Sequence, residues 1–348
     1  MATNFIITGD WHYRLQNPKA RMDDYLEALD AKISEVYYLA EKHRAKAVII
    51  PGDIFDSANI SIPGIWGLAK KLESAPCPAI TIPGNHDLPS HNLETIPRTP
   101  YGLLEKLDYI KCVHNGYWQW VDDKVDGIIT GHGYNTETDN DLSQYGVNLK
   151  QMAIHEGICC TMPSTKHEYS PFYIHISHGM LLEKPMMKGI KHTLISELAN
   201  LPEEAKPHVL INGHYHFGLP LIRIGKTLVI NPGALGRLTA HVEEMNREVK
   251  VALLTINGPE DYSAKFIHLK SAQPGHVVLS REHIEEAKQR DERLETFLKL
   301  LASEGEQKYL ELEEIMEGIA KKENIPEDVI KEGLLRLGQA REIIAERG

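Results

Sequence analysis

The chain has 348 residues, 42% of them hydrophobic, which suffices for one large domain with an appendage or for two or three smaller units. Its formal net charge of −11 argues against nucleic-acid binding through a broadly basic surface, because non-specific affinity comes largely from neutralising phosphates. The sequence contains neither a signal-like start nor an apolar run of membrane-spanning length, so we expect a cytoplasmic protein without membrane contact.

Short apolar runs that end in Gly-containing turns alternate with helical stretches along most of the chain. Six such runs predict buried strands, at residues 5–10, 47–53, 79–87, 127–133, 172–179 and 208–216. Apolar residues at helical spacing predict helices at 23–43, 64–73 and 99–108. The stretches 219–233 and 249–258 predict antiparallel strands, the first turning at residues 224–226. We therefore predict an α/β fold of layered α+β type, a β-sandwich flanked by helices.

A different composition begins near residue 281. Residues 281–348 contain 12 Lys and Arg against 18 Asp and Glu, with apolar residues at three- and four-residue spacing. This pattern predicts a helical C-terminal appendage, with helices at about 281–302, 306–323 and 326–346. The polar stretch 134–171 instead predicts loops.

Five polar segments coincide with the ends of predicted strands: GDWH (9–12), GDIFD (52–56), GNHD (84–87), HISHG (175–179) and GHYH (213–216). The ends of the strands in an α/β sheet are where ligands bind. Carboxylates, amides and imidazoles are the ligands that hold two divalent ions about 3.5–4 Å apart, an arrangement that cleaves phosphoesters. Each histidine alone could be an ordinary polar residue, since the chain has 18, but the joint order of the segments favours a two-metal site.

The ordered set D-x-H, G-D-x-x-D, G-N-H-D, H-G and G-H-x-H resembles the calcineurin-like metallophosphoesterase superfamily over roughly residues 5–235. The resemblance implies a first metal ion held by Asp10, His12 and His216, a second held by Asn85, His178 and His214, and a bridging Asp53. It also implies that His86 is catalytic, protonating the leaving oxygen, and that Asp87 holds the His86 imidazole. Other histidines, His175 among them, are not expected to bind metal because His175 is out of phase with His178 along its strand.

Two motif variants indicate which branch of the superfamily the chain resembles. The second motif lacks the Arg that phosphoserine phosphatases of the superfamily carry, and Asp87 stands where they have Glu. Together with the long tail, these features resemble the SbcD/Mre-eleven branch of DNA repair nucleases. That branch implies a DNA exo/endonuclease subunit for repair or recombination, Mn²⁺ as the metal with Mg²⁺ or Fe²⁺ as alternatives, and a homodimer. It also implies that the C-terminal helices dock on a coiled-coil ATPase of the SbcC/Rad-fifty type.

The predicted domain organisation follows from the same resemblance. Residues 1–235 form the catalytic domain, 236–280 a short strand-rich extension or reduced DNA-binding cap, and 281–348 the docking region. Several cations near the motif loops could contact a DNA backbone or be solvated surface residues: Arg14, Arg98, Lys184, Lys188, Lys191 and Arg237.

Two other functions stay open at the level of the sequence. The first is a phosphodiesterase or phosphatase for cyclic nucleotides or nucleotides, with a pocket closed by residues 134–171 and 183–192, which the acidic net charge favours slightly. The second is a non-catalytic scaffold with a vestigial metal site, although every expected ligand is present. The C-terminal helices could equally pack on the core or on one another.

Overall fold

A computed structural model describes residues 2–122, 125–147, 171–186 and 189–282, with short stretches between 289 and 336. The chain divides into two units, Met1–Ser280 and Arg281–Gly348. Most of the helices predicted after residue 281 lie outside the described residues, as does most of the predicted loop 134–171; residues 318–321 and 329–333 are helical.

The first sheet has six strands: β1 (Thr3–Ile7), β2 (Ala45–Ile50), β3 (Ala79–Thr81), β4 (Lys111–Cys112), β13 (Lys250–Ile256) and β14 (Tyr262–His268). They lie in the order β14-β13-β1-β2-β3-β4. Strands β1 to β4 are parallel, while β13 pairs antiparallel with β1, placing Phe5 opposite Leu254. The residues predicted as an extension, 236–280, thus contribute β13 and β14 to the same sheet as β1.

The second sheet also has six strands: β5 (Tyr117–Trp120), β6 (Gly127–His132), β7 (Phe172–His178), β10 (Val209–Gly213), β11 (Ile222–Ile224) and β12 (Thr227–Ile230). They lie in the order β11-β12-β10-β7-β6-β5. The four central strands are parallel and the two edge strands antiparallel. Gly225, with φ of 57°, makes the tight turn between β11 and β12 where the sequence predicts it. A separate pair is formed by β8 (Leu181–Leu182) and β9 (Thr193–Leu194).

Helices connect the parallel strands of the first sheet. They are α1 (Tyr25–Lys42), α2 (Ile62–Glu73) and α3 (Pro100–Lys106), while two short helices, α4 (Val242–Asn246) and α5 (Gly275–Val278), lie before β13 and after β14. The start of α1 is capped by Asp24, whose side chain accepts a hydrogen bond from the amide of Glu27, and Thr99 caps α3 in the same way. The 3-10 segments are Pro89–His91, Leu93–Arg98, Leu142–Tyr145, Ile195–Asn200 and Glu203–Ala205.

The two sheets pack face to face with apolar layers on both outer sides. Phe5 and Ile7 belong to the cluster between the sheets, together with Ile174 and Ile211. Ile6, between them in sequence, belongs instead to the cluster beneath α1, α2 and α3, as the alternation of a strand requires. The predicted fold, a layered sandwich flanked by helices, is confirmed. No helix among the described residues is long and apolar enough to cross a membrane.

A buried lysine on α1 ties this helix to the segment after β12. Lys32 is only 2% exposed and its Nζ donates a hydrogen bond to the Leu235 carbonyl at 3.1 Å. Burial, together with the nearby charges of Arg21, Arg237 and Arg247, lowers the pKa of Lys32 to about 7. The folded state therefore favours the neutral amine more than the unfolded chain does.

This shift predicts a pH dependence of stability. Between about pH 7 and the ordinary lysine pKa of 10.5, the unfolded chain binds a proton at Lys32 that the folded chain has released. The free energy of unfolding should therefore rise with pH over this range, by at most about 1.4 kcal/mol per pH unit from this residue. Urea unfolding of Lys32→Met at a series of pH values should show a flatter profile than the wild type. Lys42→Met, on the exposed surface of the same helix, is the control, and equal slopes for wild type and Lys32→Met would contradict the prediction.

Candidate metal centre

The predicted ligands follow the carboxyl ends of parallel strands in both sheets. Asp10 and His12 follow β1, Asp53 follows β2, and Asn85 follows β3. In the second sheet His178 is the last residue of β7, while His214 and His216 follow β10. Because the carboxyl ends of parallel neighbours lie at one edge, the fold brings these side chains together at the same end of the sandwich.

The backbone at this edge is closely packed and adopts unusual conformations. A Cβ atom at Gly84 would lie 2.2 Å from Asp53 Oδ1, so only glycine fits there. His12, Asp53 and His214 have φ of 49°, 47° and 71°, in the left-handed region that residues with a Cβ rarely adopt. Backbone strain of this kind is found at functional sites, where the surrounding structure holds it in place.

The first group of ligand-type atoms comes from Asp10, His12, Asp53 and His216, and these atoms lie within 4.8 Å of one another. The Nε2 atoms of His12 and His216 are 2.9 Å apart. His216 Nε2 lies 3.4 Å from Asp10 Oδ2, and His12 Nε2 lies 3.7 Å from Asp53 Oδ2. Two imidazoles and two carboxylates therefore face one small volume.

The second group shares Asp53 and adds His178 and His214. Asn85 completes it, since its Oδ1 lies 3.0 Å from both His178 Nε2 and His214 Nδ1. Asp53 Oδ2 is 3.3 Å from His178 Nε2, so the same oxygen faces both groups. The structure thus brings all of the predicted ligands together in the predicted division, with Asp53 common to the two groups.

The donor set fits two divalent metal ions. His178 Nδ1 lies 2.6 Å from the Pro51 carbonyl, which only accepts, so Nδ1 carries the hydrogen and Nε2 presents its lone pair. That lone pair faces Asn85 Oδ1 and Asp53 Oδ2, which are also acceptors. Within the described part of the chain, buried Asp53 Oδ2 has no hydrogen-bond partner. Acceptors that face one another in a buried volume need a proton or a metal ion between them, and oxygen and imidazole acceptors of this kind suit a divalent ion.

The pKa values of the ligand side chains also indicate that the site needs a positive charge. Burial raises the pKa of Asp10 to about 6. Burial would lower the pKa of His178, but the carboxylates of Asp53 and Asp10 and the hydrogen bond to Pro51 together outweigh it and raise the pKa to about 9, so that a proton on Nε2 supplies the positive charge where a metal ion does not. Burial, together with neighbouring histidines, lowers the pKa of His214 to about 3 and of His216 to about 2. Both are therefore neutral near pH 7, the state that binds metal.

His86 lies at the open side of the metal-binding groups. Its side chain is exposed, and its ring lies edge-on to that of His12 with 4.8 Å between centroids. Its Nδ1 is 2.8 Å from the Asp56 carbonyl oxygen, so Nδ1 donates and Nε2 is the nitrogen free to exchange a proton. The Asp56 carboxylate lies 3.4 Å from His12 Nδ1, so Asp56 contacts both histidines.

Asp87 has different contacts from those predicted. Its carboxylate accepts hydrogen bonds from the amides of Phe55 and Gly84, each at 2.9 Å, and it is fully buried. Asp87 therefore joins the loop after β2 to the loop after β3, and the contact expected of it with the His86 ring is made by the Asp56 backbone. Burial, together with the nearby Asp53 charge, raises the pKa of Asp87 to about 7.

Other residues singled out in the sequence do not belong to the two ligand groups. His175 bonds Thr130 Oγ1 and the Gln144 carbonyl, outside both groups, as its position on the strand predicts. Of the candidate DNA-contacting cations, Arg14 pairs with Asp56 at 2.8 Å and Arg237 is 3% exposed, held by backbone carbonyls. Lys188, another of these cations, lies outside the described residues.

Two residues beside the second group were not identified from the sequence. Tyr134 packs against His214, and His91 packs against Tyr134. His91 also bonds the Asn85 carbonyl at 3.2 Å. Tyr134 belongs to the polar stretch predicted as loops, and His91 lies beyond the G-N-H-D motif. The only local signal was the proximity of His91 to that motif.

Comparison with known proteins agrees with this geometry. A family model for calcineurin-like phosphoesterases matches residues 3–218. The chain belongs to this family. The matched region contains every ligand of the two groups, so the phosphoesterase domain includes the whole candidate metal centre. Among curated proteins, no match was found.

Several solved structures are similar to this phosphoesterase. A calcineurin-like phosphoesterase, YfkN from Bacillus subtilis, is 13% identical, with 83% of this chain and 97% of that chain covered and a TM-score of 0.45. A dimetal phosphatase from Danio rerio is 12% identical, covering 75% and 98%, with a TM-score of 0.43. The protein TT1561 of Thermus thermophilus is 14% identical, covering 76% and 99%, with a TM-score of 0.43.

Metal binding should depend on the shared carboxylate of this phosphoesterase. Asp53→Asn removes a charge that faces both groups, so we expect titration calorimetry with Mn²⁺ to show loss of both binding events. In the wild type, Mn²⁺ at about 100 times its Kd should stabilise the fold by about 2.7 kcal/mol, and a chelator should remove this gain. Asp108→Asn, in an exposed loop, is the control. Retention of both binding events in Asp53→Asn would contradict the assignment.

Proposed function

We propose that the protein is a phosphodiesterase that cleaves DNA with two divalent metal ions, and that Mn²⁺ is the preferred metal. The observation that carries this proposal is the pair of ligand groups sharing Asp53, with the exposed His86 ring beside them. Two bound ions would supply an activated water and a clamp for the phosphate oxygens. Asp10, His12 and His216 would hold one ion, and Asn85, His178 and His214 the other, with Asp53 between them.

The role of His86 follows from its hydrogen bond. Because Nδ1 donates to the Asp56 carbonyl, protonation takes place at Nε2, on the side of the ring away from that contact. In the imidazolium form, Nε2 can donate a proton to the leaving oxygen of the ester. Exposure of His86 allows a long polymer to approach it without passing into an enclosed pocket.

Support for DNA as substrate comes from the motifs and from the charge distribution. The second and third motifs have the nuclease-like variants, with no Arg after Asp56 and with Asp87 rather than Glu. The net charge of −11 is only a weak argument against DNA binding by residues 1–280, since residues 281–348 carry −6 of it. Two divalent ions would add about +4 at the site itself.

His86→Gln separates metal binding from catalysis. Glutamine keeps a polar side chain of similar length but cannot move a proton, so we expect turnover to fall by about 10²- to 10⁴-fold while Mn²⁺ affinity is largely retained. The assay is hydrolysis of end-labelled duplex and single-stranded DNA, beside bis(p-nitrophenyl) phosphate, with Mn²⁺. His276→Gln, an exposed histidine on α5, serves as the matched control. Unchanged activity in His86→Gln would remove His86 from the mechanism.

The same assay tests the substrate. Cleavage of DNA by the wild type supports the nuclease. If DNA stays intact while cyclic nucleotides or nucleoside monophosphates are hydrolysed rapidly, the protein is instead a small-molecule phosphodiesterase or phosphatase, the function that the acidic net charge favours. Absence of all hydrolysis with both ions bound would leave a scaffold with a vestigial site.

We propose further that residues 281–348 dock on the coiled coil of an SbcC-type ATPase. Val329 and Leu335 in this region are 55% and 58% exposed, although both lie in helical stretches. Apolar residues at helical spacing suit a partner helix. Burial of one leucine stabilises a complex by about 1.5–3 kcal/mol.

Leu335→Asp in the full chain should therefore weaken the complex with such an ATPase at least tenfold in pull-down titration. Glu332→Gln, on the exposed surface of the same region, is the control. Equal affinity of Leu335→Asp and wild type would argue against docking through this surface.

A further inference from the structure

An aromatic residue extends the metal centre on the side of the second ligand group. The Tyr134 ring lies 5.6 Å from the His214 ring at an interplanar angle of 33°, and 6.1 Å from the His178 ring, nearly perpendicular to it. Tyr134 is half-buried, so part of its surface is open to solvent directly beside two predicted ligands. A substrate bound at the second metal position would lie next to this ring.

The backbone holds Tyr134 firmly in this place. Its amide donates a hydrogen bond to the Pro83 carbonyl at 2.9 Å, at the end of β3. The preceding Gly133 is packed so closely that a Cβ atom there would lie 2.6 Å from the Pro83 ring and 2.7 Å from Leu93. The ring therefore belongs to a fixed segment, which reduces the entropy lost when it contacts a ligand.

A third neighbour of the Tyr134 ring is His91, edge-on with 5.4 Å between centroids. His91 is exposed and bonds the Asn85 carbonyl through Nδ1. Ser90 and His91 have φ of 51° and 57°, two consecutive residues with a Cβ in the left-handed region. This strained turn sets His91 between a predicted metal ligand and Tyr134, and so fixes the edge of the tyrosine ring.

We infer that Tyr134, positioned by His91, is a stacking platform for a nucleobase adjoining the scissile phosphate, an inference that rests on the proposed phosphodiesterase function. Bases stack on aromatic side chains irrespective of their identity, and each such contact contributes about 1–3 kcal/mol. An aromatic ring next to a metal pair selects nucleotide-containing diesters over diesters of the same charge that lack bases. Tyr134 is thus a specificity-determining residue, separate from the groups that bind metal or transfer protons.

A purely structural role for Tyr134 predicts a different result. If the ring only shielded His214 from water, its loss would weaken metal binding and slow all substrates alike. If the ring is a stacking platform, its loss slows cleavage of a substrate with bases more than cleavage of a substrate without bases. The ratio of kcat/KM for a substrate with bases to kcat/KM for one without bases distinguishes these roles. A loss of bound metal or of folded protein lowers both values equally and leaves the ratio unchanged.

The experiment compares two single-stranded substrates of equal length with Mn²⁺: oligothymidylate, and an oligomer in which every base is replaced by hydrogen on a tetrahydrofuran sugar. We expect the wild type to prefer oligothymidylate and Tyr134→Leu to lower this preference about tenfold, mainly through KM. Tyr134→Phe keeps the ring and should retain the preference. Tyr38→Leu, an exposed tyrosine on α1 that is 60% exposed, is the control and should not change the ratio.

The outcomes separate the inference from the function on which it rests. If the wild type cleaves neither oligomer, the proposed DNA cleavage is wrong. If it cleaves them but Tyr134→Leu leaves the ratio unchanged, or Tyr134→Phe lowers it as much as leucine does, the stacking role is overturned while the nuclease stands.

Discussion

The carboxylate of Asp53 is the constraint on which the rest of the site depends. It is fully buried, and one of its oxygens faces imidazoles of both ligand groups without forming a hydrogen bond within the described structure. An uncompensated buried charge costs several kcal/mol. Burial would raise the pKa of Asp53, but His178 and the other histidines outweigh this effect and lower it. The carboxylate therefore stays ionised and attracts cations to one place between the groups.

The way the strands of the two sheets are arranged brings the ligands to Asp53. Parallel strands from both sheets end at the same edge, so short turns after β1, β2, β3, β7 and β10 deliver all the ligands. The turns are closely packed: Gly84 touches Asp53, and the Asp87 carboxylate bonds backbone amides from two of them. Left-handed backbone at His12, Asp53 and His214 is the cost of aiming side chains into one volume. Stability of the core thus maintains strain at the site.

Much of this arrangement could be predicted from the sequence, for identifiable reasons. Apolar runs that end in Gly and Asp mark the strand ends, and the resemblance of the motif set to the phosphoesterase family implies the grouping of Asp10, His12 and His216 apart from His178 and His214. The unpredicted features depend on contacts distant in sequence. Hydrogen bonding of Asp87 to backbone amides cannot be read from its neighbours. The position of β13 beside β1, some 250 residues away, has no local signal either.

The surroundings of the ligands were the least predictable part. Tyr134 reaches His214 only because Gly133 allows close packing on the end of β3, and a turn-rich polar stretch gives no sign of this. Arg14 and Arg237 are candidates for DNA contact in the sequence because they are cations near the motif loops. The first is paired with Asp56 and the second buried, because local partners decide whether a cation is available. Substrate choice depends on such contacts, which lie outside the motifs.

The central claim is that Asp53 bridges two metal ions. Crystals grown with Mn²⁺ and measured at the manganese absorption edge test it most directly. We expect two anomalous peaks, one on each side of the Asp53 carboxylate and about 3.5–4 Å apart, one beside Asp10, His12 and His216 and the other beside Asn85, His178 and His214. A single peak, or two peaks of which one is not in contact with Asp53, would contradict the account.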